Sequence, residues 1–211
     1  MMELDLSPEC LLSAYASGIF PMADDDGEVR WLSPDPRAII ELDGFIVSRS
    51  TRAVMRRGAF EIKINEAFEE VIDACADRSQ GTWISPDIRA AYVALHKLGF
   101  GHSVESWHEG SLAGGLYGVS IGGAFFGESM FHRMTDASKV AMAALVEQMQ
   151  THGFSLLDVQ FLTDHLRRFG AEEIARNEYL RRLHQAVRTP CAFDERIGPT
   201  AVSVQSAEGA G

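Results

Sequence analysis

Glycine placement is the strongest constraint on this chain. Gly114, Gly115, Gly118, Gly122, Gly123 and Gly127 crowd into a stretch whose other residues favour strands. Upstream, His102-Ser-Val-Glu-Ser-Trp107 alternates as a half-buried strand does, and Glu109-Gly110 supplies a tight turn. Residues 112–121 and 124–131 read as two further strands joined at Gly122-Gly123, so the middle of the chain is expected to be a three-stranded antiparallel meander. Glycine weakens a strand and is tolerated where another backbone or a ligand approaches closely. Bulges that curve the sheet are the simpler account of these glycines taken alone.

The flanks supply the remaining layers. Residues 7–17 read as a helix with Ser7 as cap, Pro8 in the first turn and Gly18 as its stop. An apolar, non-helical Ile19-Phe20-Pro21-Met22 follows, then an acidic turn and Trp31-Leu-Ser-Pro-Asp-Pro-Arg37, whose prolines argue against a helix or a central strand. Strands are expected at 39–42, 60–64 and 154–159, and helices at 50–57, 67–76, 86–98, 164–169 and 178–187. Asp136-Ala-Ser-Lys139 opens one more helix, with Asp136 as its expected cap and Gly153 as its stop. Strands followed by helix, strand and helix give an α+β fold, a mixed sheet with helices packed on it, in the order of a GNAT-like acyltransferase. The expected division is a small N-terminal domain over 1–36, a catalytic domain over 37–198 and a disordered tail over 199–211.

Composition excludes several classes. The net charge of −11 argues against indiscriminate nucleic-acid binding, which needs lysine and arginine presented to phosphates. A local basic site survives that argument: Arg49, Arg52, Arg56 and Arg57 lie in a stretch without acids, at spacings that share one helical face. Cys10, Cys75 and Cys191 are too scattered for a disulfide framework or a metal clip, and His102 and His108 lack helical ligand spacing, so no metal is expected. Acids stand where a secretory signal would carry positive charge, and no apolar run is long enough to span a bilayer. A cytoplasmic monomer without membrane partners is the expectation.

The central block carries a family resemblance. Leu-Ala-Gly-Gly-Leu-Tyr-Gly-Val from Leu112, Phe-Phe-Gly-Glu-Ser-Met-Phe from Phe125 and Asp136-Ala-Ser-Lys139, spaced as here, resemble the core of the leucyl/phenylalanyl-tRNA–protein transferase family. Leu12-Ser-Ala-Tyr-Ala-Ser-Gly-Ile-Phe-Pro21, Trp31-Leu-Ser-Pro-Asp-Pro-Arg37, Gly81-Thr-Trp-Ile84, Leu95-His-Lys-Leu-Gly99, His102-Ser-Val-Glu105, Leu157-Asp-Val-Gln160 and Asp164-His-Leu-Arg-Arg-Phe-Gly-Ala171 are similar to its other signatures, in its order. The resemblance implies a small N-terminal domain on a GNAT-like catalytic domain. It also implies transfer of leucine or phenylalanine from Leu-tRNA or Phe-tRNA to proteins with N-terminal Arg or Lys, which marks them for degradation. The aminoacyl ester is already activated, so no cofactor is expected; such an enzyme aligns an amine with an ester and manages one proton.

Asp158 and Gln160 match the family's pair for that proton. Two apart on an expected strand, they share a face in an apolar run where each needs a partner, and a hydrogen-bonded pair that only holds the sheet is the alternative. The family's scheme has the carboxylate polarising the glutamine amide. Glu128 could anchor an α-ammonium group or pair with a nearby arginine, and Ser129 beside it belongs to the same substrate site. Leu116, Phe125 and Met130 would line a pocket for the leucine or phenylalanine side chain, core packing being the alternative for each. Trp83 offers a stacking platform for the terminal adenine or serves structure alone. Arg56 and Arg57 match positions that hold tRNA phosphates, with Arg49 and Arg52 extending that face, and a solvated helix face is the alternative.

The sequence departs from the family in lacking a Gly-Gly-Asp word before the first helix. Met22 also replaces a frequent tryptophan, and Val159, expected to point away from the site, replaces a frequent cysteine. On element order alone an acetyl-CoA-dependent N-acetyltransferase fits as well, although the turn over 131–139 lacks the glycines of a pyrophosphate loop. A non-catalytic tRNA- or degron-binding module would keep Arg56 and Arg57 without needing Asp158 and Gln160. A metal hydrolase is the weakest alternative.

Overall fold

The computed structural model describes residues 6–24, 26–79 and 81–194, so the readings of the first five residues and of the tail over 199–211 lie outside the described residues. The N-terminal helix α1 (Pro8–Ala16) begins where Ser7 Oγ accepts from Cys10 N–H and ends at Gly18, whose φ of 78° suits glycine. The apolar segment after it is a strand, β1 (Phe20–Ala23), paired antiparallel with β2 (Val29–Leu32). The prolines at 34 and 36 delay the next strand less than expected. β3 (Arg37–Ile40) starts directly after Pro36, two residues before the expected 39–42, and it lies inside the main sheet. Proline costs only its own ladder bond, and here it stands just outside the strand.

From there the elements follow the pattern of apolar spacing: α2 (Arg49–Arg56), β4 (Glu61–Ile64), α3 (Phe68–Ala76), α4 (Pro86–Lys97), β5 (Gly101–His108), β6 (Ser111–Ile121) and β7 (Ala124–His132). The chain continues through α5 (Ala137–Thr151), β8 (Leu156–Gln160), α6 (Asp164–Arg167), β9 (Ala171–Ile174) and α7 (Arg176–Ala186). Strand β9 has no counterpart in the expectations. Asp136 does not cap α5: its φ is 69°, it makes no cap hydrogen bond, and its carboxylate binds Lys139 Nζ at 2.7 Å instead. Aspartate tolerates the left-handed region, and the ammonium one turn on competes for its oxygens.

The main sheet has seven strands in the order β4-β5-β6-β7-β8-β3-β9 and is antiparallel except between β7 and β8. A parallel pair requires a crossover, which α5 provides. The sheet's alternation sorts residues between two cores. On one face Tyr117, Val119 and Phe126 pack with α1, α3, α4 and α7; on the other Leu116, Phe125 and Leu157 pack with α5 and Phe193. Leu11, Leu12, Tyr15 and Phe20 of the N-terminal unit belong to the first of these cores rather than to one of their own.

One pairing detail creates the site. β7 and β8 are paired only at Ala124↔Leu156, Phe125↔Leu157 and Phe126↔Asp158, although β7 runs on to His132. The β6–β7 register shifts between Tyr117 and Gly118. At Gly118 a Cβ would meet the Phe126 carbonyl oxygen at 2.2 Å, so a close backbone approach requires this glycine. Past Phe126 the two strands separate and leave a gap in the sheet.

Candidate active site

A cavity of about 460 Å³ opens in the gap between β7 and β8. Leu116, Met130, Met142, Leu145, Val159 and Leu166 form an apolar end, while Glu128 and Gln160 supply polar groups. Phe20, Met22 and Trp83 add an aromatic and thioether wall, and Arg78 and Ser129 also line the cavity.

The structure brings Glu128, Ser129, Gln160, Trp83 and Leu116 together and leaves Phe125 out. Phe125 is fully buried in the second core, with its ring centroid 5.0 Å from that of Phe193. It precedes the strand separation, so alternation turns it into the core. Val159 is a second correction: it does face away from Asp158, into the second core, but the gap opens the cavity to that core, so Val159 lines it. β8 ends at Gln160 with φ of 57°, and regular alternation ends with it.

Asp158 and Gln160 are joined differently from the expected scheme. Asp158 Oδ1 accepts the backbone N–H of Gln160 at 2.9 Å, and no bond links the carboxylate to the glutamine amide. The Gln160 amide instead donates from Nε2 to Glu128 Oε1 at 3.2 Å. Asp158 is inaccessible to solvent and saturated with donors. Arg37 Nε and Nη2 reach its two oxygens at 2.9 and 2.7 Å, and the Tyr179 hydroxyl donates at 2.7 Å. Arg37 is itself sandwiched between the rings of Phe20 and Tyr179, at 4.7 and 4.6 Å, and donates to the Gly18 carbonyl. A bidentate, hydrogen-bonded pair of this kind is what allows a charge to be buried.

Among the described residues Glu128 has no arginine partner. Tyr15 and Tyr92 donate hydroxyls to its two oxygens at 2.8 and 3.0 Å, and the two hydroxyls also touch each other. Burial raises its pKa to about 7, against the lowering effect of the two tyrosine bonds. Tyr15, Tyr92, Arg37, Tyr179 and Arg78 join the site although no sequence pattern singles them out. Arg78 closes one rim, donating to Ser129 Oγ at 2.7 Å.

The four arginines of the basic face, Arg49, Arg52, Arg56 and Arg57, are exposed on α2 and the residue after it, and none forms an ion pair among the described residues. They lie outside the cavity lining. Among the described residues no group of His, Cys, Asp or Glu has the geometry of a metal site, and no helix is long and apolar enough to cross a membrane.

Residues 39–184 match the leucyl/phenylalanyl-tRNA protein transferase family, and residues 4–35 match that family's N-terminal domain. The chain belongs to this family. The leucyl/phenylalanyl-tRNA–protein transferase of Gloeobacter violaceus is 53% identical over 193 residues, covering 91% of this chain and 100% of that protein. Those of Salinibacter ruber and Ruegeria pomeroyi are each 52% identical, over 87% and 90% of this chain and 81% and 91% of their own lengths.

Proposed function

We propose that the chain is an aminoacyltransferase that moves leucine or phenylalanine from aminoacyl-tRNA to the N-terminal Arg or Lys of acceptor proteins in the cytoplasm and so marks them for degradation. It is read as a GNAT-like domain acting as a monomer. The observation that carries this reading is one cavity whose lining joins apolar residues of the second core to the polar pair Glu128 and Gln160. An aminoacyl ester has those two parts, an apolar side chain and a reacting polar centre.

The roles follow from the hydrogen bonds. Gln160 spends Nε2 on Glu128, which leaves its amide oxygen to accept an N–H of the attacking amine. Asp158 positions Gln160 by holding its backbone N–H at a positive φ, a conformation costing about 1–3 kcal/mol in a non-glycine residue. Glu128 receives the α-ammonium of the aminoacyl group, and Leu116, Met130 and Val159 receive its side chain. Trp83 stacks the terminal adenine, Ser129 shares that site, and the arginine face on α2 holds tRNA phosphates. Incubation with Leu-tRNA and a peptide beginning with Arg tests the reading: the expected product is heavier by one leucine. Acetylation of the same peptide from acetyl-CoA, without leucine transfer, would replace the reading with the acetyltransferase one.

A further inference from the structure

A second, smaller cavity of about 190 Å³ lies beside the first, and the proposed reaction as described makes no use of it. Its walls come from three places: Phe45 to Ser48 with Ser50 and Thr51 at the start of α2, Lys139 at the start of α5, and His165, Arg168 and Phe169 around α6. Lys139, His165 and Arg168 therefore share one hollow with Ser48, Ser50 and Thr51, whose hydroxyls bond to one another around Ser48 Oγ. Such convergence is unexpected on a chain whose net charge is −11. The acid in contact is Asp136, bound to Lys139 at 2.7 Å, while Asp164 is exposed at the start of α6. Arg168 is exposed and forms no ion pair among the described residues. The field of these groups is felt by His165, whose pKa is lowered by burial and then by Lys139, Arg168 and His132.

The position of the hollow suggests its occupant. His165 lines both cavities, so the basic hollow opens onto the rim of the candidate active site. On its other side the hollow borders α2, which carries Arg49 and Arg52 and packs against α5. A path of positive charge thus leads from the arginine face, through Lys139 and Arg168, to the larger cavity. We infer that this hollow binds phosphodiester groups of the single-stranded 3′ end of the donor tRNA, immediately before the terminal nucleoside. This rests on the proposed aminoacyl-tRNA reading. It adds a site beyond the arginine face that adjoins the substrate cavity through His165, with the cations of Lys139 and Arg168 suited to phosphate oxygens.

The test compares K139Q, R168Q and the double variant with the unmodified protein, using tRNA binding across a salt series and transfer from two donors. Phe-tRNA carries the phosphates, and the phenylalanyl ester of adenosine has none. Each substitution is expected to weaken tRNA binding about fivefold at 0.1 M salt and to lower the salt slope by about 0.7, the contribution of one phosphate contact on a single strand. The KM for Phe-tRNA rises with it, and the KM for the adenosine ester stays unchanged. An unchanged salt slope, or an equal change with both donors, overturns the inference. If the unmodified protein transfers from neither donor the proposed function falls, while the slope comparison still decides whether the hollow binds phosphate. Should K139Q unfold for want of a partner for Asp136, R168Q at an exposed position makes the same comparison.

Discussion

The strands bordering the cavity each present one carboxylate, and the two are held in opposite ways. At the end of β8, Asp158 is matched by a guanidinium, a phenol and a backbone N–H, and none of its capacity is left for a ligand. Across the gap on β7, Glu128 is held only by neutral donors, two tyrosines and an amide, and it faces the cavity. Neutral donors stabilise a buried carboxylate less than a cation does, so its protonation remains adjustable near neutral pH. Asp158 is thus held as part of the framework, while Glu128 keeps a face toward the cavity. The side-chain amide of Gln160 bonds to Glu128 and not to Asp158.

The largest effect that can break this comparison is at Arg37. Arg37→Met leaves the Asp158 carboxylate buried and unpaired and is expected to destabilise the protein by about 3–5 kcal/mol, read by denaturant unfolding. Asp158→Asn, which strands the guanidinium, is expected to lose stability in the same range. Combining Arg37→Met with Asp158→Leu recovers only part of the loss: two apolar groups replace two charges, but the Tyr179 hydroxyl and the Gln160 N–H lose their acceptor. If Arg37→Met melts like the unmodified protein, Asp158 is not an architectural group.

Glu128 gives the next effect, through pH. Its pKa in the fold, about 7, lies above its ordinary 4.5, so the folded state binds the proton more tightly. The resulting stabilisation is complete below the ordinary value and is lost as pH rises through about 7. Glu128→Gln removes this loss, so the variant should gain on the unmodified protein above neutrality, by on the order of 3 kcal/mol at most. Thermal melts from pH 5 to pH 9 check it, and parallel curves for the two proteins would refute it.

Gln160→Ala is expected to be milder for stability and severe for transfer. It removes one hydrogen bond to Glu128, worth about 1–3 kcal/mol, while kcat falls and the KM for donor changes little. Full activity in this folded variant would remove Gln160 from the reaction. The smallest structural effect is on α2, where reversing Arg56 and Arg57 should change stability by less than about 0.5 kcal/mol. Filter binding should nevertheless show weaker and less salt-dependent tRNA affinity.

Much of this arrangement was legible in the sequence, and the parts that were not share a cause. The meander, α4 and α5 follow from periodic apolar residues and glycine stops, which are local signals. β9 was invisible because Ala171-Glu-Glu-Ile174 exposes both acids at the sheet's edge and offers no apolar alternation. Glu128, Asp158 and Gln160 could be singled out because a polar residue in an apolar run demands a partner. Who the partners are is a matter of tertiary convergence: Tyr15, Tyr92, Arg37 and Tyr179 come from α1, α4, β3 and α7. Arg37 did carry a faint signal, a lone cation ahead of the apolar Ala38-Ile39-Ile40. The end of alternation at Gln160 carried none, since nothing in Val159-Gln160 announces a left-handed backbone.

The distances along the chain between these partners have a consequence during synthesis. Tyr15 and Glu128 are 113 residues apart, and Asp158 waits for Tyr179 of α7. A ribosome-bound chain that has extruded β7 has the glutamate but not the amide that orients it, and one that has extruded β8 still lacks the phenol. Every charged member of the site is therefore translated before its last neighbour exists. A copy that stops before β8 lacks Val159 and Gln160 of the cavity wall and the carboxylate that pairs with Arg37.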